Sequence, residues 1–160
     1  MKKIQIEIKW ALIFVVMMLL WMVMEKLMGF HDVNIAKHSI ITNFVAIPAI
    51  IVYVIALKDK KNNDYNGTMT YKEGFISGLI ISLIVTIFTP LSQYITSTLI
   101  TPDYFENVIQ FTVAMNIMSQ EKAESYFNLQ NYIIQSTFAT PIMGIITTAA
   151  VAFFVRSKNS

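Results

Sequence analysis

The sequence predicts an all-α fold: an integral membrane four-helix bundle with an extra amphipathic helical segment between helices three and four. Three observations carry this reading. Four apolar runs, Trp10 to Met24, Ile40 to Leu57, Phe75 to Ile100 and Tyr132 to Val155, approach the roughly 20 residues that a helix needs to cross a hydrocarbon core about 30 Å thick. Charged residues are only 14% of the chain, against about 25% in soluble domains. The basic residues also crowd into alternate gaps. With the N terminus cytoplasmic, the inner side holds Lys2, Lys3, Lys9, Lys58, Lys60, Lys61, Lys72, Arg156 and Lys158, and the outer side only Lys26, Lys37 and Lys122. Both termini are then cytoplasmic. Residues 1–160 form one transmembrane domain, with spans near 9–28, 36–57, 72–99 and 131–155 and an outer segment over 102–130.

Span one begins with Ile4-Gln5-Ile6-Glu7-Ile8-Lys9-Trp10, which alternates apolar and polar residues as a strand does. No turn separates it from the apolar run, so it reads as the frayed, interfacial start of the helix. The bulky run to Met24 is followed by Glu25-Lys26 without a small-residue cleavage site, which argues for an uncleaved span. Gly29 marks the helix end. For span two, Asp32 or Asn34 is the expected N-cap, and Pro48 is an expected kink in its interior.

The following polar loop turns at Asn66-Gly67 and ends in Thr70-Tyr71-Lys72-Glu73, a capping box that starts span three at about Tyr71. Span three carries Gly74, Gly78, Ser82 and Thr86 at four-residue spacing, and Thr89, Gln93 and Thr96 or Ser97 extend the stripe around Pro90. Span four repeats the ladder with Ser136, Thr140, Gly144, Thr148 and Ala152, broken at Pro141. Small residues at this spacing let helix backbones approach closely, and that packing drives association in lipid. Between the two spans, Thr101-Pro102-Asp103 reads as N-cap, first-position proline and first-turn acid. Tyr104, Val108, Phe111, Met115 and Met118 then define the apolar face of an amphipathic helix. A second short helix is expected to start at Ser119.

Chemistry is sparse. The chain has no cysteine, which excludes disulfides and thiolate catalysis. It holds no phosphate-binding loop, nucleophile elbow or His-Glu-x-x-His stretch. The net charge of +2 gives no basis for a nucleic-acid partner. The single ligand-like polar cluster is Glu25, His31, Asp32 and His38, at the outer end of spans one and two. Seven residues separate the histidines, two helical turns, so one helix could present both on one face. Interfacial capping is the first reading of this cluster; a zinc site or proton relay is the second. No cofactor and no metal are expected.

The stretch Met69-Thr70-Tyr71-Lys72-Glu73-Gly74-Phe75-Ile76-Ser77-Gly78, then Pro90, then Ile100-Thr101-Pro102-Asp103-Tyr104-Phe105, resembles a family of small four-span bacterial membrane proteins classed only as a domain of unknown function. The similarity continues through Glu25-Lys26, His31-Asp32, His38 and Tyr126-Phe127-Asn128. The resemblance implies a bacterial inner (cytoplasmic) membrane protein and brings no activity with it. The expected role is therefore non-enzymatic: a structural, accessory or regulatory subunit in the lipid bilayer, as a homo-oligomer or with a membrane partner protein. The alternative is a transporter or channel component whose polar path follows the span-three stripe.

Overall fold

A computed structural model of the chain describes residues 4–157. Lys2, Lys3 and Lys158, which enter the count of basic residues above, lie outside the described residues. The fold is all-α, with no strand among the described residues. Its helices are α1 (Gln5–Leu27), α2 (Ile35–Ile41), α3 (Ala46–Asp64), α4 (Tyr71–Ile95), α5 (Tyr104–Ala114), α6 (Gln120–Tyr126) and α7 (Leu129–Val155). Four segments are long and apolar enough to cross a membrane: Gln5–Leu27, Ile35–Asp64, Tyr71–Ile100 and Leu129–Val155.

The second of these is composite. A 3-10 turn at Thr42–Val45 separates α2 from α3. Pro48 consequently falls in the first turn of α3, where backbone N–H groups have no intrahelical acceptor to lose. The break expected inside the span is therefore displaced to the turn that precedes the proline. Pro90 and Pro141 lie within α4 and α7. The third segment ends in a wide π turn at Thr96–Ile100. The Thr101 amide and hydroxyl both return to the Thr96 carbonyl, at 2.7 and 3.0 Å. That engagement delays α5, which starts at Tyr104 with Asp103 rather than Thr101 at the N-cap position. It ends at Ala114, because Asn116 adopts a positive φ. Met115 and Met118 therefore fall beyond the helix, Met115 is exposed, and the buried face of α5 is Val108 and Thr112.

The chain divides into two compact units. The first contains residues 4–17, Ala46–Phe88 and 138–157, and the second contains Met18–Val45 and Thr89–Thr137. In the first unit the core is Ala11, Tyr53, Ala56, Leu57, Met69, Ile81, Val85, Val151, Ala152 and Val155. Phe14 meets Tyr53 edge-on at 5.6 Å between centroids.

The small-residue ladders meet in this first unit. A Cβ on Gly78 would collide with Thr148, one on Gly144 with Ser82, and one on Gly74 would sit 3.4 Å from the Ala152 Cβ. Ser82 and Thr148 are buried. Two ladder hydroxyls instead fold back on their own helices: Thr86 donates to the Ser82 carbonyl at 2.8 Å and Ser136, in the second unit, to the Tyr132 carbonyl at 2.6 Å. Thr140 is half-buried on α7.

Local sequence signals set the ends of these helices. The capping box forms as its residues require. The Glu73 amide donates to Thr70 Oγ1 at 3.2 Å, and the Thr70 amide donates to Glu73 Oε2 at 2.9 Å. Met69 and Ser157 pair through their backbones at 2.9 Å, and the Ser157 hydroxyl accepts from the Met69 amide at 3.1 Å. Lys61 donates to the Val155 carbonyl at 2.9 Å, where a cation suits the negative end of α7.

Candidate functional site

In the second unit, the end of α1 builds a polar cluster. Trp21 and Glu25 are one turn apart on α1, and the Trp21 indole N–H donates to Glu25 Oε1. The helix then stops in a Schellman turn. Gly29 sits at φ +73, its amide donates to the Lys26 carbonyl at 2.9 Å, and the Phe30 amide donates to the Glu25 carbonyl at 3.0 Å. The Asn34 amide returns to the Gly29 carbonyl at 2.8 Å, and the Asn34 side chain donates to the Met28 carbonyl at 3.1 Å. Asn34 is the N-cap residue of α2, but its side chain closes this turn rather than capping the helix.

The reversal brings His31 back over Glu25, while α2 supplies His38. The two histidines thus come from a turn and a helix, not from one helical face. The spacing of seven holds no shared periodicity, because the Schellman turn consumes the residues around His31.

Glu25 is fully buried. Its Oε2 lies 3.1 Å from His31 Nε2 and 3.3 Å from His38 Nδ1. One ligand atom from each of the three residues falls within 4.8 Å of the other two. The imidazole rings are 4.9 Å apart in an edge-to-face arrangement. The Tyr104 ring packs on both, at 5.3 Å from His31 and 5.2 Å from His38. Burial pushes the Tyr104 hydroxyl above its ordinary range, so it remains a neutral phenol. It meets the Tyr132 hydroxyl at 3.3 Å. Asn107 on α5 donates to the His31 carbonyl at 3.0 Å and fixes the turn from outside. The other ring nitrogen of His31, Nδ1, is buried without a hydrogen-bond partner, whereas the buried His38 Nδ1 faces Glu25. Asp32 is exposed and stands apart from the three, its carboxylate accepting from the Val33 amide.

A carboxylate with two imidazoles is a donor set that can hold a divalent metal or share a proton. Either role compensates a carboxylate removed from water, which is costly when unpaired.

The first unit holds a second buried polar group that the sequence reading missed. Glu7, on α1, accepts from Lys60 Nζ at 2.8 Å and from the Ser77 hydroxyl at 2.8 Å. Lys60 also contacts Asp64 Oδ2 at 2.6 Å. Nearby, Asp59 accepts from Lys9 at 2.7 Å and from the Trp10 indole at 2.6 Å. Residues 5–10 are regular helix rather than a frayed start. The available signal was a face rather than a motif: Glu7, Ala11 and Phe14 recur at helical spacing, and Ala11 is fully buried.

Four apolar helical segments and charges held at their ends define an α-helical membrane protein. The chain belongs to the family described as "Protein of unknown function (DUF4199)", whose model matches residues 9–157. No curated protein and no solved structure matches the chain.

Proposed function

We propose that this is a non-enzymatic structural or accessory subunit of the bacterial inner membrane, with both termini cytoplasmic, acting through helix packing. The observation that carries the reading is the interlock of α4 and α7. Gly78 receives Thr148 and Gly144 receives Ser82, so the first part of the polar stripe is filled by protein. A water-lined path along span three needs those hydroxyls facing an opening; here they support close packing. The orientation rests on the excess of basic residues in one set of gaps.

Because the ladders are engaged within the chain, a partner or second copy would dock on the exposed apolar faces in the membrane. Leu83, Ile87 and Leu91 form such a face on α4, each more than half exposed. Photo-crosslinking residues placed singly at these positions in cells should give a discrete protein adduct. Adducts to lipid alone at all three positions would refute the accessory reading. Uptake or efflux that changes in Ser82→Ala while the fold survives would favour the transporter.

A further inference from the structure

The structure assigns to Glu25, His31 and His38 a function that goes beyond helix packing: binding of one divalent transition-metal ion of the zinc class. Zinc bonds to imidazole nitrogen and carboxylate oxygen are about 2.0–2.1 Å long, and tetrahedral angles then put neighbouring donors roughly 3.3 Å apart. Glu25 Oε2 stands 3.1 Å from His31 Nε2 and 3.3 Å from His38 Nδ1. Two of the three donor edges therefore already have the length that a tetrahedral ion imposes. The third, between the histidines, is within 4.8 Å, and an ion would close it by drawing in His38, the more exposed of the two at 19%.

The chemistry of the set narrows the ion. Two nitrogens and one oxygen suit zinc and its first-row neighbours, whereas calcium and magnesium require cages of oxygen and Cu(I) prefers sulfur. Three protein ligands leave the fourth tetrahedral position to water or to a small anion.

The surroundings fit ligation too. The Trp21 indole N–H holds the other carboxylate oxygen and aims Oε2 at the imidazoles, as outer partners of metal ligands do. Asn107 holds the His31 backbone, and the Tyr104 ring walls the site. His38 Nδ1 is buried and faces the Glu25 carboxylate at 3.3 Å; an ion between it and Oε2 would take its lone pair. The rival occupant of the same geometry is a proton shared between Glu25 and one imidazole, with no metal bound.

The test uses the full chain, without a histidine tag, purified in detergent, stripped with chelator and dialysed against micromolar zinc. Metal content is read by mass spectrometry and the unfolding temperature is measured with and without zinc. Wild type should retain one zinc per chain and unfold at a higher temperature when zinc is present. His38→Ala, at the least buried ligand, should lose both effects, and His31→Ala/His38→Ala should retain none. Trp21→Phe leaves every ligand in place and should weaken zinc affinity by about tenfold or more. The assignment is overturned if wild type retains no more zinc than the double variant, or if zinc shifts wild type and His38→Ala equally. It is also overturned if a folded His38→Ala retains a full equivalent, whatever becomes of His31→Ala. A wild type that melts identically with and without zinc, and binds none, supports the shared proton instead.

Discussion

Removing the Glu7 carboxylate gives a sharp test of how the first unit is held together. Glu7 is 1% exposed and Lys60 3% exposed, so neither charge is screened by water. The carboxylate receives Lys60 from α3 and the Ser77 hydroxyl from α4, both at 2.8 Å, and so joins three helices. Stranding a buried charge by deleting its only partner costs about 3–5 kcal/mol. Lys60 is not stranded entirely, because Asp64 stays at 2.6 Å. The loss is then mainly one charge-assisted contact, about 1.5–3 kcal/mol, with the Ser77 bond, about 1 kcal/mol, added.

We therefore expect Glu7→Ala to destabilise by about 3 kcal/mol, near the lower edge for a broken buried pair. Glu7→Gln keeps an acceptor and should cost roughly half of that. The double variant Glu7→Leu/Lys60→Met should recover only part of the Glu7→Ala loss, since apolar replacement of a buried pair is often neutral but here leaves Asp64 and the Ser77 hydroxyl without these partners. Unfolding in detergent, followed by tryptophan fluorescence, reports all three, and Trp10 sits close by on α1. A Glu7→Ala variant within about 0.5 kcal/mol of wild type, the range of an ordinary surface change, would refute the reasoning.

Two further expectations concern glycines. Gly78→Leu would drive a side chain into Thr148 and should cost about 3 kcal/mol or more, seen as loss of folded protein in detergent, whereas Ser82→Ala should be tolerated. Gly29→Ala puts a Cβ at φ +73 and 2.8 Å from Val33 Cγ2. About 1–2 kcal/mol of left-handed strain should appear in the unfolding curve, and zinc retention should fall because the turn carries His31.

The spans were legible because length and hydropathy act locally, and the Thr70/Glu73 box because it is complete within four residues. The Gly29 turn was legible for the same reason. Glu7 was not: Ile4 to Trp10 satisfies a period of two and a helical period alike, and its partner Lys60 is 53 residues away. The start of α5 was misplaced because Thr101 is a reasonable cap in isolation; its hydroxyl is engaged by the π turn behind it. The convergence of Glu25, His31 and His38 depends on a chain reversal and on walls supplied by α5, neither of which residue spacing encodes. Asp32 belonged to the cluster in sequence and leaves it in space because its carboxylate serves the next amide.

The turn between α1 and α2 has a consequence in time as well as in space. The Gly29 and Phe30 amides tie this turn back to α1 at Lys26 and Glu25, and the Asp32 and Asn34 amides and the Asn34 side chain close it on Gly29 and Met28. The conformational entropy of presenting His31 is therefore spent when the chain folds, not when something arrives. Capture of the proposed ion at that spot would then be limited by diffusion and by loss of the ion's water. Its release would be limited by the strength of its bonds, with no loop to reorder in either direction.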